Sequence, residues 1–312
     1  MTIQYGLFSG DDRLVRIAVV SWSVFETVHH KGLLTFVESG TWKAWVQLET
    51  FKRYHALPNL SNCRLCFWML LQTSVFLMFT DKSISIANLK EFKCDLPCSN
   101  ELWEATEMEW QTLPQSEPVW FPSALATLLN GSPIHESLST FTVLVLLGGI
   151  LAHIVTHERL TWYQDAEIAD EQRTPMFLRT LHAWEETWKR HPQANPNPYN
   201  DTHGPLMADA IPLLNTAYFH VYIPRLLQRI KEHLTTTAHN PELTRKEFYA
   251  LLMPHSETER YNLFRATTHA AHSLLIRARL GFNLVARTSS LDMGFHYGYT
   301  GFDLGNHPHV SC

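Results

Sequence analysis

The chain has 312 residues, 45% hydrophobic and 18% charged, which is enough for a sizeable core and too apolar for a disordered or fibrous protein. Lys plus Arg number 25 and Asp plus Glu 30, a formal charge of −5, so these residues have no basic excess with which to neutralise phosphates as a stand-alone DNA-binding domain. Five cysteines, an odd count, and an opening segment with no basic stretch leading into an apolar run point to a reducing compartment rather than a secreted disulfide scaffold.

In chain order the pattern predicts helix almost throughout. Residues 11–37 place Leu14, Ile17, Ala18, Phe25, Val28, Leu33 and Leu34 at near-helical spacing. Residues 41–55 do the same with Trp42, Trp45, Val46 and Leu48, and Pro58 and Asn59 then break the chain. The runs 63–79 and 138–155 are long and apolar enough to suggest a bilayer span. Neither has basic residues clustered beside it, so both are read as helices buried on all sides. Asp95-Leu96-Pro97-Cys98 is expected to be extended, because the residue before a proline avoids the α region, and Ser99 is the expected cap of a short helix. Pro114, Pro118 and Pro122 make 112–122 a loop; Ser123 is expected to cap 124–130, and Asn130-Gly131-Ser132-Pro133 to stop it. A long apolar helix over 135–160 and an amphipathic one over 174–190 follow. The stretch 191–205 holds four prolines and reads as a loop. Helices resume at 206–239, kinked or split at Pro224, then at 241–252 and 256–286, before an irregular Gly- and His-rich tail over 287–312. The expectation is one large all-α, bundle-like domain over 1–286.

Three stretches carry a more specific signal. The first is Gly40-Thr41-Trp42-Lys43-Ala44-Trp45-Val46-Gln47-Leu48-Glu49-Thr50-Phe51-Lys52-Arg53. The second runs from Ser83-Ile84-Ser85-Ile86 through Leu89 to Leu96-Pro97-Cys98, and the third is Glu101-Leu102-Trp103-Glu104-Ala105 followed by Glu109-Trp110. Their ordered set resembles the regulatory domain of fungal-specific transcription factors, known as the middle homology region. Gln4 to Gly10, the Lys31-Gly32-Leu33-Leu34 segment, Trp184-x3-Trp188 and Pro205 to Tyr218 fit the remainder of that pattern, so the likeness covers most of the chain. The residue pattern departs from the family at HALPNLSN, 55–62, which interrupts the Lys52-Arg53 segment, and at Gln72 to Ser74, where an acidic residue is usual.

The resemblance implies a non-catalytic nuclear regulator of transcription that controls a gene set, a metabolic cluster among the expected ones, through contacts with other transcription factors, co-regulators or ligands. Pairing with a second copy or a related chain is compatible with it, and the residues leave the oligomeric state open. Family members carry an N-terminal zinc-containing DNA reader; this chain starts inside the regulatory domain, so direct DNA contact by these residues is not expected. No Lys/Arg run exceeds a pair such as Lys52-Arg53, so nuclear entry is expected with a partner.

The chemistry behind the motifs is packing. Trp42 and Trp45 share a helix face, Glu49 and Arg53 stand at i and i+4 as for a helix-surface ion pair, and Trp103 and Trp110 are placed to pin the segment after Leu96-Pro97-Cys98. A ligand pocket between helices is compatible with this reading. Metal chemistry is weaker. Cys63-x2-Cys66 and Cys94-x3-Cys98 have zinc half-site spacings, but Cys66 falls inside an apolar run and no spaced His pair follows. His153, His157 and Glu158, and likewise His269 and His272, share helical faces; in a chain with 18 His such pairs arise by chance and are read as packing or surface residues. No metal, cofactor or catalytic residue is assigned. Two rival readings remain: an all-α magnesium-dependent cyclase of prenyl diphosphates, with Asp11-Asp12 or Asn200-Asp201 and Asp209 as metal carboxylates, and an interaction module that antagonises full-length relatives by pairing without a DNA reader.

Overall fold

The structure is a computed structural model that describes residues 41–53, 70–71, 95–114, 117–161, 166–191, 194, 205–239 and 249–287. Helix takes 77% of the described part and no strand runs through it, so the protein is mainly all-α. The expectations for 11–37, for the break at 55–62, for most of 63–79 and for the tail after Arg287 lie outside the described residues.

Chain order gives α1 (Trp42–Arg53), α2 (Asn100–Glu104), α3 (Glu107–Thr112), α4 (Phe121–Leu129), α5 (Thr140–Thr161), α6 (Ala166–Lys189), α7 (Pro205–Tyr222), α8 (Pro224–His239) and α9 (Glu257–Arg287). The caps explain many boundaries. Thr41 accepts the Ala44 N–H at the head of α1, Ser99 accepts that of Leu102 in α2, and Ser139 accepts that of Thr142 in α5. α3 opens with a full capping box: Thr106 Oγ1 accepts the Glu109 N–H while Glu109 Oε2 accepts the Thr106 N–H at 2.8 Å.

Several boundaries differ from the sequence reading: α5 begins at Thr140 and not at 135, and α6 begins at Ala166 and not at 174, with Pro175 inside it. Ser123 is not the cap of the fourth helix. α4 begins at Phe121 with Trp120 in the cap position, because Pro122 falls in the first turn, where its missing N–H leaves no intrahelical bond unmade. The expected loop 191–205 ends one residue early for the same reason, since Pro205 opens α7. Pro224 does split the long helical stretch: the Ile223 N–H closes α7 onto the Phe219 carbonyl at 2.8 Å, and the Ile223 carbonyl opens α8 by accepting from Leu227 at 3.0 Å.

α5 is the centre of the core. It is long and apolar enough to cross a membrane, yet that surface is spent inside the protein, with every residue from Thr140 to Ala152 buried. α4, α6 and α7 pack around it, and α9 packs on α7. Gly148 and Gly149 make the close contacts on one side. A Cβ on Gly148 would stand 2.7 Å from Leu71 Cδ2, and one on Gly149 would stand 3.2 Å from Leu125 Cδ1 and 3.3 Å from the Phe121 ring. Leu71 is helical and fully buried, so this described fragment of the 63–79 run is core. On the other side Trp184 of α6 is buried, donates its indole N–H to the Val143 carbonyl at 2.9 Å and stacks on Trp188.

Candidate functional site

The segments singled out by the sequence meet at an extended strap, Asp95–Ser99. Consecutive backbone groups of this strap are satisfied by three different elements. The Leu96 N–H bonds the Val119 carbonyl at 2.7 Å, part of an isolated antiparallel bridge between Asp95 and Trp120. The Pro97 carbonyl accepts from Thr142 Oγ1 at the head of α5, at 3.1 Å. The Cys98 N–H donates to Glu49 Oε2 of α1 at 2.9 Å. An extended segment cannot satisfy its own backbone, so each of these bonds replaces one that water would otherwise supply. Leu96 and Pro97 of the strap are themselves buried.

Glu49 therefore has a different role from the one its spacing suggests. It is not an exposed helix-surface carboxylate: it is 2% exposed and turned toward the strap. The side chain of Arg53 lies outside the described residues. Trp45 packs on Trp110 with ring centroids 5.6 Å apart, which joins the first segment to the third. Trp42, Trp45, Trp103 and Trp110 are all half-buried. The indole N–H groups of Trp42 and Trp110 are buried with no hydrogen-bond partner among the described residues. Glu109, next to Trp110, is held below the usual carboxylate range by its bonds to Thr106, chiefly the one to the backbone. Among the described residues, these contacts join Trp45, Glu49, Leu96, Pro97, Cys98 and Trp110 into one neighbourhood of packing and backbone bonds.

The other candidates fall elsewhere. Cys63, Cys66, Cys94, Asp11, Asp12, Asn200 and Asp201 lie outside the described residues, as does the side chain of Asp209. His153 and His157 stand edge-on to the Phe177 ring, at 5.9 and 5.4 Å, which uses both imidazoles in packing. Among the described residues no group of three or more His, Cys, Asp or Glu side chains could hold a metal ion.

The sequence reading missed two polar clusters. In the first, Glu158 of α5 meets His220 of α7, Oε2 to Nδ1, at 2.8 Å, with His220 1% exposed and its Nε2 without a hydrogen-bond partner among the described residues. In the second, Tyr218 of α7 donates its hydroxyl to Glu185 of α6 at 2.6 Å and stacks on His269 of α9, centroids 3.8 Å apart. Tyr222 lies beside both rings and accepts a hydrogen bond from Arg265. Burial, then the bond to Glu185, pushes the Tyr218 phenol well above its ordinary range, and burial pushes the His269 imidazole down. The phenol is thus a fixed hydrogen-bond donor and the imidazole a neutral stacked ring. Tyr218 and Tyr222 at i and i+4 were the available signal; what they face across space was not.

A cavity of about 670 Å³ opens where α7 ends and α8 and α9 begin. Ile223, Leu226, Leu252 and Leu263 make its apolar wall, and the Arg229–Glu259 ion pair, 3.4 Å apart, lies at its edge. Its size is that of a small-molecule site, and its lining carries two arginines, Arg225 and Arg229, against one carboxylate, Glu259. Compared with protein-family models, curated proteins and solved structures, the chain matches none.

Proposed function

We propose that this chain is the regulatory half of a transcription regulator, a non-catalytic nuclear scaffold that acts through other transcription factors or co-regulators. The observation that supports the reading most is the junction at the strap. Three segments picked out by their likeness to one regulatory family, and separated along the chain, share one set of contacts: Glu49 to Cys98 and Trp45 to Trp110. Their residue types are those of a joint between helices, not of a reaction centre. The acidic balance of the chain leaves DNA reading to another module. The gene set implied by the resemblance is metabolic.

The test is to fuse the chain to an unrelated sequence-specific DNA reader and follow a reporter carrying that reader's sites. The fusion should raise or lower output relative to the reader alone, while the chain by itself gives no sequence-dependent gel shift at physiological salt. A folded, promoter-bound fusion that leaves the reporter unchanged overturns the proposal. So does tight, sequence-dependent DNA binding by the unfused chain.

A further inference from the structure

α9 buries one face and leaves another bare. On the covered side Ala266 is 1% exposed and His269 stacks on Tyr218 of α7. Away from α7, Tyr261, Phe264, Thr268, Ala271, Leu275 and Ala278 are all exposed. The steps between them are three, four, three, four and three residues. That is the a/d spacing that carries a seam straight along a helix, and five of the six residues are apolar. Tyr261 is 60%, Phe264 67% and Leu275 49% exposed, with Leu274 alongside at 57%. Single exposed apolar residues need no explanation, but a register-perfect row about 26 Å long at 1.5 Å per residue marks a contact surface.

We propose that this seam pairs with the same seam of a second copy, the two α9 helices running antiparallel. Self-complementarity selects both the partner and its direction. In an antiparallel pair the a positions of one helix face the d positions of the other. Phe264 then lies against the partner's Leu275, Thr268 against the partner's Ala271, and Tyr261 against the partner's Ala278. Each bulky ring meets an aliphatic or small residue, so the two surfaces interdigitate. A parallel pair would instead set like against like, Phe264 on the partner's Phe264 and Ala271 on the partner's Ala271, so that bulk meets bulk and gap meets gap. The antiparallel pair removes that mismatch. Because a symmetric dimer makes each contact twice, a short seam is used twice over. The pairing does not depend on the regulatory reading, and an inert reporter would leave it standing.

The full chain in solution provides the test, by sedimentation equilibrium or light scattering over a range of concentrations. The wild-type mass should rise to twice that of the monomer with concentration. Phe264→Glu combined with Leu275→Glu should give a monomer with unchanged helical circular dichroism. Phe264→Lys combined with Leu275→Glu should restore the dimer, because the antiparallel register then brings opposite charges together at both contacts. A wild-type chain that stays monomeric, the seam being covered by another protein or by another part of the same chain, overturns the proposal. So does a dimer that survives the double Glu change. Failure of the Lys and Glu pair to restore the dimer overturns the antiparallel register.

Discussion

Helices α5 and α9 are both long, and they use their length in opposite ways. α5 is apolar around its whole circumference and finds partners on all sides: Leu71 and α4 against its glycines, α6 through Trp184, and α7. α9 is amphipathic, seats one face on α7 and ends with an apolar row in solvent. The core is thus complete without the outer face of α9. The lesson concerns where stability and association reside. Changes around α5 should be felt by the fold, and changes along the α9 seam should be felt by whatever binds there.

The sharpest break falls at Trp184. Trp184→Ala removes a buried indole that packs on Trp188 and donates to the Val143 carbonyl. Loss of an aromatic from a packed core costs about 3–5 kcal/mol. Urea unfolding should show that loss, and a cost below about 1 kcal/mol would mean that α5 is not held as described.

The strap comes next. Glu49→Ala leaves the Cys98 N–H without its carboxylate acceptor in a part-buried joint, at about 1–3 kcal/mol. Glu49→Gln keeps an acceptor oxygen in nearly the same place and should cost less. Equal effects from the two changes would show that charge, and not the bond to the strap, is what Glu49 provides there.

These two sites also show what the sequence makes legible. α5 could be read directly, because a buried helix advertises itself by composition, but its head was placed at 135, five residues before the start that the Ser139 cap sets. The extended strap followed from Pro97, and Ser99 from the chemistry of capping. Glu49 could be identified as belonging to a motif but not understood. Four residues before an arginine it looks like a surface carboxylate, yet it is buried and bonds the backbone of a residue 49 positions away, which no local spacing announces. Tyr218 and His269 were opaque for the same reason: each is an ordinary helix residue until α7 and α9 are laid together. The misplaced cap at Ser123 has a local cause. Pro122 looks like the end of a loop, whereas in the first turn it is tolerated as part of the helix. The α9 seam was legible in principle from its three-four spacing; what the sequence could not show is which face of the helix the fold leaves uncovered.

A smaller effect should come from pH. Burial holds the imidazoles of His157, His191 and His269 below the ordinary histidine range. As pH falls through about 6.5, the unfolded chain takes up protons at these positions before the folded chain does. The stability they contribute is therefore complete above that value and declines as pH drops toward their lowered folded values. The urea midpoint should be lower at pH 5.5 than at pH 7.5. An unchanged midpoint would show that none of the three rings is held neutral by burial.

The smallest effect on the fold should come from the seam itself. Phe264→Glu with Leu275→Glu replaces two residues that are 67% and 49% exposed and not part of the core. Surface changes of this kind usually stay within about 0.5 kcal/mol each. In dilute protein, where mass action favours monomers, the variant and the wild type should unfold at nearly the same urea concentration. At higher concentration they should part, because a dimer that forms only from folded chains raises the apparent stability of the wild type and cannot do so for the variant. A gap that grows with concentration assigns the seam to association. A gap of the same size at every concentration would assign it to the fold, and would erase the distinction drawn between α9 and α5.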